Sequence, residues 1–154
     1  MKIINRALLD ELTAAAKGSP RLRKNWNIHP HDGFPAQRLL NAIEPDSYIR
    51  PHRHLDPLKD ETLVIIRGRL GVILFADDGT IGERMLLEVC GEVLGADLPR
   101  GCFHTAVSLA EGTVFFEAKA GPYLPLTAEE TAPWSPSESS PQAAAYLESL
   151  KNLF

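Results

Sequence analysis

The stretch from residue 36 to 120 alternates short runs of β-branched, aromatic and other apolar residues with turn residues, without helical periodicity. Runs of roughly four to eight such residues bounded by Gly, Pro, Asn and Asp are typical of strands. Asp78-Gly79 is a strong tight-turn signal between two of the runs. The regular spacing predicts an antiparallel sandwich or barrel rather than a parallel α/β sheet. The predicted strands cover residues 37–43, 48–54, 61–67, 70–76, 83–89, 103–109 and 113–120.

Two short helices are predicted at the ends of the chain. Asn5 precedes an amphipathic stretch that Gly18 closes, and Ser140 followed by proline opens a second helix. The polar stretch 21–35 is predicted to be a covering loop, in which we interpret His29 as a solvated residue. These assignments divide a single domain into a helix with its covering loop, a β-rich core and a C-terminal surface segment with a helix, at residues 1–34, 35–121 and 122–154.

Composition narrows the classes of partner. The chain has 154 residues, of which 44% are hydrophobic and 23% charged, which is typical of one compact domain. Its net charge of −4 provides no basic field for nucleic acid. No apolar run approaches the roughly 20 residues needed to cross a bilayer, and the first residues turn polar too soon for a signal peptide, so we predict a cytoplasmic protein without a membrane partner. We interpret Cys90 and Cys102 as reduced core thiols.

Four residues in two clusters indicate a metal site. In an extended strand, His52 and His54 project to the same side, because side chains alternate between faces. Glu61 opens the next apolar run and can lie beside them if the chain folds back, and a turn delivers His104 to the start of a later strand. Three neutral imidazoles and a carboxylate suit one divalent transition metal, namely iron, manganese, nickel, cobalt or zinc, and suit calcium poorly.

These residues resemble the motifs of the cupin superfamily. The first motif is His-x-His, a short gap, Glu, six residues and Gly, and the second is Pro-x-Gly-x-x-His. The matching positions are His52, His54, Glu61, Gly68, Pro99, Gly101 and His104. The resemblance implies a mainly β cupin fold, a double-stranded β-helix or jelly-roll barrel, which commonly forms homodimers through edge strands.

The carboxylate ligand has alternatives, because the gap from His54 to Glu61 is longer than the usual three or four residues of the motif. Asp56 and Asp60 are the rival ligands within this gap. Glu61 is favoured because it keeps the expected distance to Gly68.

A closer resemblance, across most of the chain, is to the WbuC family of cupin-fold metalloproteins. Members of that family are associated with bacterial surface-polysaccharide gene clusters, so the resemblance implies a fold, a metal site and a polysaccharide context. The residues that carry it are Gln37, Arg38, Asn41, Lys59, Glu61, Phe103, His104 and the runs 48–54 and 117–123.

Several polar residues are candidates for contact with a small-molecule ligand. Tyr48 and Arg50 share parity with His52 and His54, so an unbroken strand would place them in the same interior. There they are either satisfied structural groups or substrate contacts, and as contacts Arg50 could bind an anion and Tyr48 could move a proton. Glu117, in an apolar run, is a second candidate for proton transfer, with a partner that the sequence does not identify. Further candidates for substrate binding, for which a solvated or structural role is an equal alternative, are Arg38 and Lys59.

Three functions remain open from these residues. The first is a metal-dependent enzyme on a small polar or sugar-like substrate, with isomerisation or epimerisation as its chemistry, since a metal with open positions can polarise an oxygen. The second is an Fe(II) oxygenase, and the third is a non-catalytic saccharide or small-anion binding module. One fold hosts many functions, so the cupin resemblance does not choose among them.

Overall fold

A computed structural model describes residues 1–154. Eight strands form two antiparallel sheets, one of five strands in the order β1-β2-β8-β3-β6 and one of three in the order β5-β4-β7. The elements in chain order are α1 Arg6–Lys17, β1 Arg23–Asn27, β2 Ala36–Ile43, β3 Glu61–Arg67, β4 Arg69–Phe75, β5 Ile81–Glu88, β6 Gly95–Leu98, β7 Phe103–Ser108, β8 Thr113–Ala120 and α2 Ala143–Lys151.

The central core lies between the two sheets. Burial along β3 alternates, so that Glu61, Leu63 and Ile65 share the inward face of their sheet. Seven of the strands contribute buried apolar side chains to this core, because each strand turns alternate residues inward. Its members are Ile43, Leu63, Ile65, Leu70, Val72, Leu87, Leu98, Ala106 and Phe115.

The helices cover the outer faces of the sheets. The side chain of Asn5 accepts a hydrogen bond from the Leu8 N–H and caps α1, which packs on the outer face of the five-stranded sheet. The second helix, α2, packs on the outer face of the three-stranded sheet and begins at Ala143, a few residues after the predicted Ser140 start. Neither helix has the length and apolar character needed to cross a membrane.

Gly68 allows the chain to pass directly from β3 to β4. Its φ of +80° lies in the left-handed region, which other residues rarely adopt. A Cβ at this position would also collide with the side chain of Thr113. The turn therefore requires glycine, and it fixes how β3, which carries Glu61, continues into the second sheet.

Several sequence predictions were wrong. Residues 48–54 do not form a regular strand, because Pro51 has no N–H to donate to a ladder and His52 makes only isolated bridges. The predicted loop 21–35 contains the edge strand β1, which pairs with β2, and β6 was not predicted. His29 is buried rather than solvated, and neither cysteine lies in the core, since one is exposed and the other is partly exposed.

Candidate metal centre

Three elements bring the candidate ligands together. Glu61 is the first residue of β3, and His104 is the second residue of β7. An isolated antiparallel bridge joins His52 to His104: the His52 N–H donates to the His104 carbonyl at 3.0 Å, and the His104 N–H donates to the His52 carbonyl at 2.8 Å. The Gly101 N–H donates to the His54 carbonyl at 2.8 Å. The backbone thus places two sequence clusters, about fifty residues apart, at one point.

The four side chains converge closely enough to share one ion. One ligand atom from each of His52, His54, Glu61 and His104 lies within 4.8 Å of the others. The Oε2 atom of Glu61 is 3.1 Å from the His104 Nε2 and 3.3 Å from the His54 Nε2. His54, Glu61 and His104 are buried, and His52 is half-buried.

The donor chemistry of the imidazoles fits a metal. The Nδ1 atoms of His52 and His104 each lie 3.0 Å from a backbone carbonyl, of Arg50 and Cys102 respectively. Because a carbonyl only accepts, Nδ1 carries the hydrogen and Nε2 presents its lone pair to the centre. The Nε2 atom of His54 is buried without a hydrogen-bond partner. A buried polar atom without a partner is costly, and a metal ion at the centre would satisfy it.

Electrostatics keep two of the ligands in the forms that bind metals. Burial lowers the pKa of His52 to about 3, and the neighbouring His104 adds to this, so the imidazole stays neutral. Burial alone would raise the pKa of Glu61, but the neighbouring Lys119 ammonium holds it well below its usual value. The residues therefore suit a divalent transition metal, whose identity the ligand set does not select.

The rival aspartates lie outside this group. The carboxylate of Asp60 accepts the Arg100 N–H at 2.9 Å, and that of Asp56 accepts the Leu58 N–H at 2.9 Å. Asp56 is therefore used in a turn of its own loop and Asp60 in a contact with the turn before β7, and the structure brings Glu61 to the imidazoles instead.

A cavity of about 450 Å³ opens on the centre. On its wall, Glu117 and Lys119 of β8 form an ion pair at 2.6 Å, and the Asn41 amide donates to the other Glu117 oxygen at 2.6 Å. The Lys119 ammonium also lies 3.2 Å from Oε1 of Glu61. Burial raises the pKa of Glu117 to about 7, and the Glu61 charge adds to this effect. The centre thus continues into a buried network of polar and charged groups.

Lys119 was not among the candidates from the sequence. Strand alternation could have identified it, because residues 115, 117 and 119 of one strand share a face. Phe115 on that face lies in the core, so Lys119 faces inward as well. The partner of Glu117, which the sequence left unidentified, is this lysine together with Asn41.

Lys59 lies near the centre on a different side. Its ammonium donates to the Pro122 carbonyl at 3.1 Å and is buried. It lines a smaller cavity of about 160 Å³ that His52, His54 and Lys119 also line. The histidines are therefore reached from two sides.

The side chains of the other three candidates do not contact the metal centre, and strand parity fails for two of them, Tyr48 and Arg50. Tyr48 packs against Tyr146 of α2, and its hydroxyl donates to the Pro136 carbonyl, so it lies outside the 450 Å³ cavity. The irregular backbone breaks the alternation, and Ile49 packs on the central core instead. Arg50 lines the cavity, but its guanidinium donates to the surface segment. Arg38 is exposed on β2 and does not line the cavity.

A family model described as "Domain of unknown function (DUF6016)" matches residues 4–87, which is more than half of the chain. The chain belongs to this family. The matched region includes His52, His54 and Glu61 but ends before His104. No curated protein matches the sequence.

Solved structures share the fold at low identity. KdgF from Halomonas sp. is 16% identical, with a TM-score of 0.52 over 66% of this chain and 82% of that chain. A recombinant oxalate oxidase in complex with glycolate is 13% identical, with a TM-score of 0.51 over 68% of this chain and 53% of that chain. The conserved protein SPY1581 from Streptococcus pyogenes is 12% identical, with a TM-score of 0.51 over 80% and 90%.

These similarities confirm the predicted cupin fold, which is mainly β with two short helices. The chain spans about half of the oxalate oxidase chain. The finer resemblance to the WbuC family stays a prediction, since these findings concern the fold alone.

Proposed function

We propose that this protein is a metal-dependent enzyme that isomerises or epimerises a small polar, sugar-like substrate in surface-polysaccharide metabolism. The observation that carries the proposal is the carboxyl and ammonium pair of Glu117 and Lys119, which lines the same cavity as the candidate ligands His52, Glu61 and His104. The polysaccharide context rests on the WbuC resemblance.

The cavity has the size and lining of a small-molecule site. A volume of about 450 Å³ lies within the range of ligand pockets. Its inner wall combines apolar side chains, such as Ile49, Leu63 and Phe115, with the polar side chains of Asn41 and Glu117. A few fixed polar groups on an apolar wall orient a polar ligand.

Glu117 is placed to move a proton. Asn41 and Lys119 each bind one of its oxygens, so the orientation of the carboxyl group is fixed, while each oxygen keeps a second lone pair. As a carboxylate, it takes the proton from a substrate carbon beside a carbonyl. As a carboxylic acid, it returns the proton to the adjacent carbon while a hydroxyl proton moves to the former carbonyl oxygen, or to the other face of the same carbon after the planar enolate has turned over in the cavity.

The remaining groups assist this transfer. A metal held by the three imidazoles and Glu61 would act as a Lewis acid on a substrate oxygen. Lys119 supports negative charge next to the reacting atoms, since its ammonium already faces two carboxylates. Lys59, beside His52 and His54, binds polar groups of the substrate that reach the smaller cavity.

Proton exchange with solvent tests the proposal. Metal-loaded protein is incubated under argon in D₂O with a panel of hexoses, hexuronates and nucleotide sugars, and NMR follows deuterium entering carbon positions. We expect exchange with at least one compound, and its loss in Glu117→Gln at normal metal content. Glu83→Gln, an exposed residue away from the cavity, is the control and should exchange normally.

Two results contradict the proposal. Oxygen consumption in air, with no exchange under argon, would assign the protein to the oxygenases. Binding of panel compounds with neither exchange nor oxygen consumption would make it a binding module.

A further inference from the structure

The far end of the 450 Å³ cavity carries a concentration of positive charge. Arg21 and Arg23 line it there, and both pair with the carboxylate of Glu138. The chain as a whole has a net charge of −4, so this end differs in sign from the average surface. A cavity lined by one sign of charge attracts ligands of the opposite sign.

Arg23 is held ready to bind an anion. Its Nη1 donates to the Ser47 hydroxyl at 3.2 Å and to the Tyr48 carbonyl at 2.9 Å, which fixes the guanidinium. Its Nη2 then points to Glu138, whose carboxylate oxygen lies 2.6 Å away. The Arg23 side chain is only 17% exposed, so little entropy is lost when it binds a ligand.

The Glu138 carboxylate shows that such a group fits. Arg21 binds it through two parallel hydrogen bonds of 3.1 Å each, which is the geometry of carboxylate and phosphate recognition. Arg21 and Glu138 are 63% and 37% exposed, and ion pairs of that exposure contribute little to stability. The Arg21 contact is therefore lost at small cost, and an external anion that bonds to Arg23 in turn replaces the contact that Glu138 makes there.

Arg50, the anion-binding residue suggested by parity, is less suited to this role. Its guanidinium donates to the Ala132 carbonyl at 2.8 Å, to the Ser135 carbonyl at 3.0 Å and to the Ser135 hydroxyl at 3.1 Å.

We propose that Arg21 and Arg23 form a subsite for the carboxylate or phosphate group of the ligand, and that Glu138 occupies this subsite until the ligand displaces it. The inference rests on the proposed function in one respect, namely that the rest of the ligand reaches the metal centre. It defines the substrate class as acidic: a sugar acid or a sugar phosphate rather than a neutral sugar.

Titrations with inorganic phosphate and with acetate, at constant ionic strength, test the subsite in the metal-loaded protein. Glu138→Gln removes the internal competitor and should tighten phosphate binding at least roughly threefold. Glu129→Gln changes the net charge equally but lies outside the cavity, so it should leave the affinity at the wild-type value. The anion that gains more affinity identifies the group that the subsite prefers.

Removing the cations should reverse the gain. In the Glu138→Gln background, Arg23→Gln should weaken phosphate binding at least roughly fivefold. Arg21→Gln, which in this background loses only contacts to the residue already changed at position 138, should weaken it about twofold without changing the unfolding midpoint, so that a folding defect in the Arg23 variant does not decide the test.

Equal affinity in all variants would place the phosphate at the metal and overturn the subsite, while leaving proton exchange, and hence the proposed function, untouched. Absence of phosphate and acetate binding in Glu138→Gln would overturn it as well.

Discussion

Arg50→Lys separates a structural role of this guanidinium from the ligand contact that parity predicts. Arginine at this position makes three hydrogen bonds to residues 132–135 and so holds the C-terminal surface segment against the fold. Lysine keeps the charge but loses the planar fork, so it can keep one of the three. The variant should therefore lose stability and keep its metal.

The size of the loss follows from these contacts. Two lost hydrogen bonds to a charged group, at about 1.5–3 kcal/mol each, give about 3–6 kcal/mol. Arg50 is half-buried, so water replaces part of this, and we expect about 2–3 kcal/mol. For a domain of this length the melting midpoint should fall by roughly 4–12 °C.

Urea unfolding followed by far-UV circular dichroism measures the free energy of unfolding directly. Arg38→Lys is the matched control, because the Arg38 guanidinium is exposed and makes no hydrogen bond, and its free energy of unfolding should stay within about 0.5 kcal/mol of wild type. Unchanged stability in Arg50→Lys, together with weaker anion binding, would refute this reasoning and restore the parity prediction.

The remaining predictions concern the C-terminal residue Phe154 and the carboxylate of Glu130, which lies in the segment after β8. A Cβ at Gly71 would collide with the Phe154 ring, so Gly71→Ala should lower the free energy of unfolding in urea by about 1–3 kcal/mol. In a Phe154→Ala background this loss should vanish, and an equal loss in both backgrounds would show that the ring is not docked against Gly71. The Thr127 N–H, and to a smaller extent that of Leu55, lowers the pKa of Glu130. Wild type should therefore be more stable than Glu130→Gln, by at most about 1 kcal/mol in the free energy of unfolding. This difference should be complete above the unfolded pKa of about 4.3 and should disappear as the pH falls through the lowered pKa of the folded state. A difference that grows as the pH falls would contradict this.

Much of the fold could be predicted from the sequence because its signals are local. Alternation and turn residues predicted six of the eight strands, and the motif spacing predicted the residues that meet at the centre. The Glu61 carboxylate could be preferred over the aspartates because its sequence distance to Gly68 is set by a single strand, β3, and by the turn that follows it.

The errors arose where parity or burial depended on distant contacts. Parity placed Tyr48 in the cavity because it assumed an unbroken strand, whereas Pro51 interrupts the ladder. The cavity cation Arg23 was assigned to a loop because β1 is a polar edge strand, recognisable only by its pairing with β2. These positions depend on tertiary structure rather than on local pattern.

Metal content per chain, measured by mass spectrometry of the purified protein, tests the central claim most directly. We expect about one divalent transition metal per chain. Glu61→Gln should weaken binding roughly 100-fold, since a total of about 10–16 kcal/mol is shared among four ligands, while Asp60→Asn should bind normally. Full occupancy in both His52→Ala and His54→Ala, or a wild-type protein that takes up no metal when supplied with each candidate ion, would contradict the account.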